Sequence, residues 1–286
     1  MSKFFSFVKI EHTLFSLPVI FAGMALGLHA NQLSGVALPN LWIKIPLILG
    51  AATGARTIGF AVNRIVDRHI DARNPRTQMR ELPSGRMKLR DAYLVLVSGI
   101  MLYVGCAAGL NWLCLLLAPI PAAVFGLYPF LKRFTSLAHV GLGASLALGP
   151  LGGYFAVRPS LDGALPAILL SLFTWTWAAG FDIIYSTSDE AFDRKEGLHS
   201  LPARFGSKLA LQISSAAHFA AFLLLVIVYL AAFRGSVTAA VLLLIAGLLL
   251  YLEQRKSANV ELAFFKINAI IGFVVLLFVI VGVSLA

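Results

Sequence analysis

The sequence predicts an all-α polytopic membrane protein, and three features support this prediction. First, 59% of the 286 residues are hydrophobic and only 13% are charged, whereas a soluble domain is about half apolar and a quarter charged. Second, the apolar residues form runs long enough to cross a bilayer, which takes about 20 residues. Third, these runs are continuous rather than alternating, which indicates membrane helices and not a β-barrel.

Nine apolar segments predict nine transmembrane helices. They cover residues 13–29, 43–66, 91–109, 112–130, 136–157, 164–185, 208–232, 236–252 and 262–285. We interpret the first segment as a retained span and not a signal peptide, because no small-residue cleavage pattern follows it. No soluble domain or low-complexity linker interrupts the series. The sequence therefore predicts one transmembrane domain over residues 1–286.

The basic residues fall on one side of the predicted membrane. With the N-terminus inside, that side receives Lys3, Lys9, the basic residues of 64–90, Lys132, Arg133, Arg194, Lys195, Arg204, Lys208, Arg255 and Lys256. The other side receives Lys44, Arg158 and Arg234. The positive-inside rule then predicts an odd number of helices and a cytoplasmic N-terminus. The formal charge of +10 thus belongs to membrane loops and does not indicate a nucleic-acid partner.

A first acidic motif ends the second segment. Asn63, Asp67 and Asp71 are spaced i, i+4, i+8, so on a helix they share one face. Two carboxylates one turn apart repel each other, and a hard divalent cation between them would relieve that repulsion. Arginines beyond the acids could then hold an anion carried by the metal, most simply a phosphate. The alternative is a basic membrane-surface loop whose acids pair with arginines.

A second acidic motif follows the sixth segment. Asp182, Tyr185, Asp189 and Asp193 again have helical spacing, and Asp189 and Asp193 repeat the i, i+4 pair. By the charge distribution both motifs face the cytoplasm. Two such clusters suggest two Mg²⁺ sites that share one anion. A lipid diphosphate would suit them, with its headgroup at the mouth and its tail between the helices. Taken alone, this loop has the alternative interpretation of a solvated acidic patch.

The two motifs resemble the aspartate-rich motifs of the UbiA superfamily of intramembrane prenyltransferases. The likeness extends to Arg76-Thr77-x-x-Arg80, to Leu82-Pro83-Ser84-Gly85, and to Tyr128-Pro129-x-x-Lys132-Arg133 after the fourth segment. The resemblance implies nine helices around a central cavity and two Mg²⁺ ions that bind the diphosphate of a polyprenyl donor. It implies transfer of the polyprenyl chain to an acceptor. It also implies a bacterial inner membrane, with the active site facing the cytoplasm.

The same resemblance implies roles for individual residues. The metal ligands, direct or through water, would be Asn63, Asp67, Asp71, Asp189 and Asp193. The donor would bind to Lys132, Arg133 and Arg80, with Tyr128 and Tyr185 beside them. Metal and basic residues would stabilise the charge that grows on the leaving diphosphate. Aromatic faces could shield the allylic cation that is left behind.

Arg56 is the residue that bears on the acceptor. It lies seven residues before Asn63, hence on the same helix face two turns deeper, and an arginine within a membrane is usually functional. Superfamily members that act on 4-hydroxybenzoate resemble this chain in carrying an arginine at this offset, which implies an acceptor carboxylate. Asp182 could orient the acceptor hydroxyl or take the ring proton. The alternative for Arg56 is a structural ion pair.

Two hydroxyaryl carboxylates remain possible as the acceptor. The stretch Lys9–Pro18 resembles a branch that includes 4-hydroxybenzoate polyprenyltransferases and enzymes that prenylate 1,4-dihydroxy-6-naphthoate in a menaquinone route. Glu11 and His12 could contact the acceptor or form an interfacial cap. Three positions depart from common family residues: Arg64 replaces Asp, Glu81 replaces Pro and His199 replaces Lys.

Two other classes fit the sequence less well. CDP-alcohol phosphotransferases carry an Asp-Gly-x-x-Ala-Arg run that is absent here. A membrane transporter would carry acids in mid-span, whereas these acids cluster at one mouth.

Overall fold

The computed structural model describes Phe7 and residues 13–260 and 262–285, and every regular element in these residues is helical. The helices are α1 (Thr13–Leu33), α2 (Leu41–Arg73), α3 (Leu89–Leu110), α4 (Trp112–Leu117), α5 (Pro119–Leu131), α6 (Ala138–Val157), α7 (Leu165–Ser186), α8 (Glu190–Lys195), α9 (Leu201–Phe205), α10 (Ser207–Ala232), α11 (Val237–Arg255) and α12 (Asn268–Ser284). Lys9, Glu11 and His12, to which the sequence analysis gave possible roles, lie outside the described residues.

The described helices confirm the all-α membrane class. Eight of them are long and apolar enough to cross a membrane: Leu41–Arg73, Leu89–Leu110, Trp112–Leu131, Ala138–Val157, Leu165–Lys195, Ser207–Ala232, Val237–Arg255 and Leu262–Ser284. Helix α1 contains 21 residues and packs against α6 and α12. Helix α2 continues to Arg73, well past the apolar segment, so the first acidic motif lies on the extension of a spanning helix beyond that segment.

Local chemistry interrupts one predicted segment and ends the helix of another. Segment 112–130 consists of α4 and α5, because Pro119 has no N–H to donate to the Leu115 carbonyl, which instead accepts from Ala118 at 3.2 Å. After α7 the chain forms a 3₁₀ turn at Thr187–Asp189 before α8 begins. The Thr187 hydroxyl donates to the Ile184 carbonyl at 2.7 Å, and such side-chain bonds compete with helix continuation.

The helices enclose a central cavity of about 430 Å³. Its wall draws on α1 to α7 and on a π-helical turn, Leu262–Ile267, that precedes α12. The lining is mostly apolar, and Arg56 is the one charged side chain among the described residues that line it. Small residues on α6, such as Gly149 and Gly152, leave room for this cavity.

A polar cap closes the bundle at the end far from the acidic motifs. Arg158 follows the last residue of α6 and is buried. Its guanidinium donates to the Asn31 side chain at 2.9 Å, to the Ser34 hydroxyl at 3.0 Å and to the Asp162 carbonyl at 2.8 Å. The Tyr154 hydroxyl donates to the same carbonyl at 2.6 Å. These bonds tie α1, α6 and the α6–α7 connection together.

Two glycines allow α1 and α6 to approach closely. A Cβ at Gly23 would lie 1.9 Å from the Pro150 carbonyl oxygen, and a Cβ at Gly153 would lie 1.9 Å from the Ile20 carbonyl oxygen. Both obstacles are backbone atoms, so no side-chain movement can relieve them. A Cβ at the neighbouring Gly152 would meet nothing within 4 Å.

We expect Gly153→Ala to destabilise the bundle by about 2 kcal/mol or more, because the added methyl overpacks a backbone contact. Gly152→Ala is the matched control, and we expect it to leave the melting temperature unchanged. The measurement is thermal unfolding of the purified full-length chain in detergent, followed by the loss of monodisperse protein. Equal melting temperatures for the two variants would contradict the close approach of α1 and α6.

Candidate active site

The first acidic motif is buried at the C-terminal end of α2. Asn63, Asp67 and Asp71 share one face of the helix, and the Asn63 amide lies 3.4 Å from an Asp67 carboxylate oxygen. Asp67 is 1% exposed and Asp71 is 5% exposed. Carboxylates this deeply buried need compensating positive charge.

Basic side chains supply that charge. Lys132 Nζ lies 2.5 Å from Asp67 Oδ2, and Arg133 Nη2 lies 3.4 Å from Asp67 Oδ1. Arg80 Nη1 contacts both carboxylate oxygens of Asp71, at 2.7 and 2.8 Å. The start of the α5–α6 connection and the loop after α2 thus converge on the first motif. All three basic residues that the family resemblance assigned to the donor lie there.

The second motif is joined to the loop that follows α2. The Asn74 amide donates to Asp189 Oδ1 at 3.0 Å, and Arg76 Nε donates to the same oxygen at 2.9 Å. Arg76 Nη2 pairs with the second oxygen, and Arg76 Nη1 donates to the Tyr185 hydroxyl at 2.5 Å. Burial lowers the pKa of the Arg76 guanidinium, but Asp189 and Tyr185 raise it to a net value above its ordinary one. Arg76 therefore stays charged and fastens the second motif to the first.

The two motifs meet around shared neighbours. The charged and polar groups near the Asp193 carboxylate are Ser200, Asp189, Lys132 and His139, and Lys132 also pairs with Asp67. The Tyr128 hydroxyl lies near both Asp182 and Asp67. The structure therefore brings acids from α2 and from the region after α7 to one mouth.

This mouth opens onto the apolar cavity. Tyr128, Phe181 and Phe264 line the cavity on the side of the acidic motifs. Arg56 lies two turns deeper along α2, half-buried, with its guanidinium 5.0 Å from the centre of the Phe60 ring. The site therefore combines a charged mouth with an apolar chamber that holds one arginine.

His139 is a site residue that the sequence analysis missed. It is buried in the first turn of α6, and its Nδ1 lies 2.7 Å from Asp182 Oδ2. The Leu201 backbone N–H points at its Nε2 from 3.4 Å, so Nδ1 carries the hydrogen and donates to the carboxylate. The available signal was a lone histidine seven residues after Lys132 at the start of a predicted helix.

The donor set fits Mg²⁺ held jointly with a substrate. In the part of the chain that the structure describes, no three His, Cys, Asp or Glu side chains form a group that could hold a metal alone. Mg²⁺ rarely needs such a cage, because it typically takes one or two carboxylates and completes its shell with waters and phosphate oxygens. Asp67, Asp71 and Asp189 offer carboxylate oxygens of that kind at a single mouth.

Comparison with known sequences finds a family model and curated relatives that match most of the chain. The model of the UbiA prenyltransferase family matches residues 16–270. The 4-hydroxybenzoate octaprenyltransferase of Serratia proteamaculans is 31% identical over 234 residues, which cover 82% of this chain and 79% of that protein. The enzyme of the same name from Yersinia pseudotuberculosis is 32% identical, with 82% and 80% covered.

Comparison with solved structures gives the same fold. An apo UbiA homologue from Aeropyrum pernix K1 superposes with a TM-score of 0.80 at 34% identity, covering 96% of this chain and 98% of its own. A UbiA homologue from Archaeoglobus fulgidus, solved with DMAPP and Mg²⁺, superposes with a TM-score of 0.76 at 21% identity, covering 99% of both chains. At 21% identity, the comparison with the Archaeoglobus fulgidus structure supports the fold alone.

Proposed function

Because the chain belongs to the UbiA prenyltransferase family and is a polyprenyltransferase, we propose that it transfers a polyprenyl chain from polyprenyl diphosphate to a hydroxylated aromatic acid, with Mg²⁺. We propose 4-hydroxybenzoate as the acceptor, which the names of the Serratia and Yersinia relatives favour. The observation that carries the proposal is the junction of an acidic mouth, lined by basic side chains, with an apolar cavity. An amphiphilic diphosphate needs both halves of such a site.

The mouth binds the donor headgroup. Asn63, Asp67, Asp71, Asp189 and Asp193 would hold Mg²⁺, which neutralises diphosphate charge and makes the diphosphate a better leaving group. Lys132, Arg133 and Arg80 donate to diphosphate oxygens, and Tyr185 keeps Arg76 in place beneath them. The polyprenyl chain occupies the apolar cavity, whose side chains replace the lipid that surrounds it in the bilayer.

Transfer breaks the bond between the prenyl carbon and the diphosphate oxygen, and the bonding electrons leave with the diphosphate. The allylic cation lies beside the rings of Tyr128, Phe181 and Phe264, whose faces stabilise positive charge. A ring carbon next to the acceptor hydroxyl then bonds to the cation and loses its proton. Asp182, held by the His139 N–H, orients that hydroxyl or accepts the ring proton.

Arg56 binds the acceptor carboxylate. We expect Arg56→Ala to raise the KM for 4-hydroxybenzoate by about tenfold or more, with a smaller change in the donor KM, because one charge-assisted hydrogen bond is lost. Methyl 4-hydroxybenzoate, which has no carboxylate, should be used equally by the variant and the unaltered enzyme. Steady-state kinetics with both acceptors measures this, and equal changes in the two KM values would remove the assignment.

The second candidate acceptor is 1,4-dihydroxy-6-naphthoate, which carries the same carboxylate and places the product in a menaquinone route. The deciding experiment supplies membranes with a labelled polyprenyl diphosphate and each acceptor in turn, with and without Mg²⁺. Transfer to one acceptor selects the pathway. Failure to transfer the polyprenyl chain to either acceptor would contradict the assignment to quinone biosynthesis.

The proposal extends to topology. With α1 counted as a span, the chain has nine transmembrane helices in a single domain over residues 1–286 of a bacterial inner membrane. The distribution of basic residues supports a cytoplasmic N-terminus and a cytoplasmic mouth.

This topology can be tested with the single substitutions Arg90→Cys and Ser160→Cys. Membrane-impermeant thiol reagents should label the two introduced cysteines from opposite sides of the membrane.

A further inference from the structure

Arg64 stands where the cavity meets the acidic mouth. On α2 it continues the stripe of Arg56 and Phe60 at i, i+4, i+8, and it lies seven residues before Asp71, again on the same face. Arg56 and Phe60 line the apolar cavity, whereas Asp71 belongs to the mouth. The Tyr128 hydroxyl, which also borders the cavity, has Arg64 among its charged neighbours.

The Arg64 guanidinium is buried and incompletely satisfied. The residue is 4% exposed, and its Nε and Nη1 have no hydrogen-bond partner anywhere in the described residues. The nearby charged and polar groups are Arg80, Asp71, Glu81 and Tyr185. Asp71 makes no hydrogen bond to these two nitrogens, and its carboxylate oxygens accept from Arg80 instead.

The other arginines of the mouth are used differently. Arg76, Arg80 and Arg133 each contact an aspartate of the two motifs, although Arg133 Nε also has no partner among the described residues. Buried N–H groups that lack an acceptor are costly, so they persist where a ligand supplies one. Arg64 therefore points to an anion at the boundary between charged mouth and apolar cavity.

We propose that Arg64 is a catalytic residue that binds the diphosphate oxygen bonded to the reacting prenyl carbon, an inference that rests on the proposed function. In a donor whose headgroup fills the mouth and whose chain fills the cavity, that oxygen lies at the junction. When the carbon–oxygen bond breaks, both electrons pass to this oxygen. Arg64 donates one of its unpartnered N–H groups to the growing negative charge and keeps its own protons throughout. The diphosphate leaves, and the allylic cation awaits the acceptor.

This role predicts a specific kinetic pattern. The oxygen carries little charge in the bound donor and more in the transition state and in free pyrophosphate. An interaction that strengthens along this path raises the rate more than it tightens donor binding. Loss of Arg64 should therefore lower kcat and weaken pyrophosphate binding, with a smaller effect on the donor KM.

The test compares Arg64→Gln, Arg64→Lys and the matched control Arg68→Gln in the purified full-length chain with Mg²⁺. Arg68 is on the same helix, half-buried, and donates to the Ile65 carbonyl at 2.8 Å. We expect Arg64→Gln to lower kcat by about 100-fold, the scale for loss of one such donor, and to raise the inhibition constant of inorganic pyrophosphate by about tenfold. The donor KM should change by less than about threefold, and Arg68→Gln should behave as the unaltered enzyme.

Arg64→Lys keeps the positive charge without the guanidinium N–H groups and should recover about a tenth of the lost rate. If Arg64→Gln does not fold, Arg64→Lys is the variant that tests the inference. An active enzyme whose Arg64 variants keep full kcat and pyrophosphate affinity would overturn this inference and leave the proposed function intact. An unaltered enzyme that transfers no prenyl group would instead contradict the proposed function. In that case, calorimetric binding of Mg²⁺-pyrophosphate that depends on Arg64 would still support the anion site, and binding independent of Arg64 would overturn it.

Discussion

Asp67→Asn is expected to lower the rate of prenyl transfer by about 10³-fold, since it removes a buried carboxylate that pairs with two cations and that, in the proposed function, would hold the metal. Asparagine keeps the shape of the side chain but not its charge. Lys132 and Arg133 would then face a neutral amide, and a bound metal would lose a ligand. The measurement is kcat at saturating donor and acceptor in lipid nanodiscs. The control is Asp162→Asn, at the opposite end of the bundle, where the carboxylate accepts from the Ser160 hydroxyl at 2.8 Å.

The double variant Asp67→Asn, Asp189→Asn tests whether the two motifs act on one substrate. Asp189 is tied to the end of the first motif by Asn74 and Arg76. Groups that act as a unit show strongly non-additive losses, so the double variant should be little slower than the worse single variant. A loss equal to the product of the two single losses would mean that the motifs act independently.

Removal of divalent cations should abolish transfer. The carboxylates at the mouth and the diphosphate of the donor are all negative, and the basic side chains already contact Asp67, Asp71 and Asp189. Without a metal, the leaving group would lose most of its charge stabilisation. Addition of EDTA is expected to lower the rate by about 10²-fold or more, and excess Mg²⁺ should restore it.

The control for chelation is the melting temperature of the protein, which should not fall when EDTA is added without donor. This separates a catalytic requirement for the metal from a structural one. Full activity in EDTA, with metal content checked by elemental analysis, would remove Mg²⁺ from the proposal.

Local features of the fold were predictable from the sequence, and tertiary pairings were not. The i, i+4, i+8 spacing of Asn63, Asp67 and Asp71 is a property of one helix, and α2 indeed extends to Arg73. By contrast, the contact between Arg76 and Asp189 joins residues 113 positions apart. The His139–Asp182 pair likewise depends on how α6 and α7 pack, which no spacing in the sequence specifies.

The second motif shows where spacing alone misleads. Its residues have helical intervals, but the 3₁₀ turn at Thr187–Asp189 separates α7 from α8, so the four residues do not lie on one continuous helix. The burial of Arg64 was also unpredictable, since its neighbours in sequence resemble a solvated basic loop. Its position departs from the common family residue, and only the packed structure shows that two of its nitrogens lack acceptors.

In the proposed function, the polar cap around Arg158 would confine the reaction to the opposite end of the bundle, where the acidic mouth lies. Hydrogen bonds among α1, α6 and the following connection hold the far end together, so in the proposed reaction the headgroup would enter, and pyrophosphate would leave, at the acidic mouth. The prenylated product has shed its diphosphate and now partitions into lipid. In the proposed reaction, a water-soluble acid would therefore become a membrane-bound product on the side from which it entered.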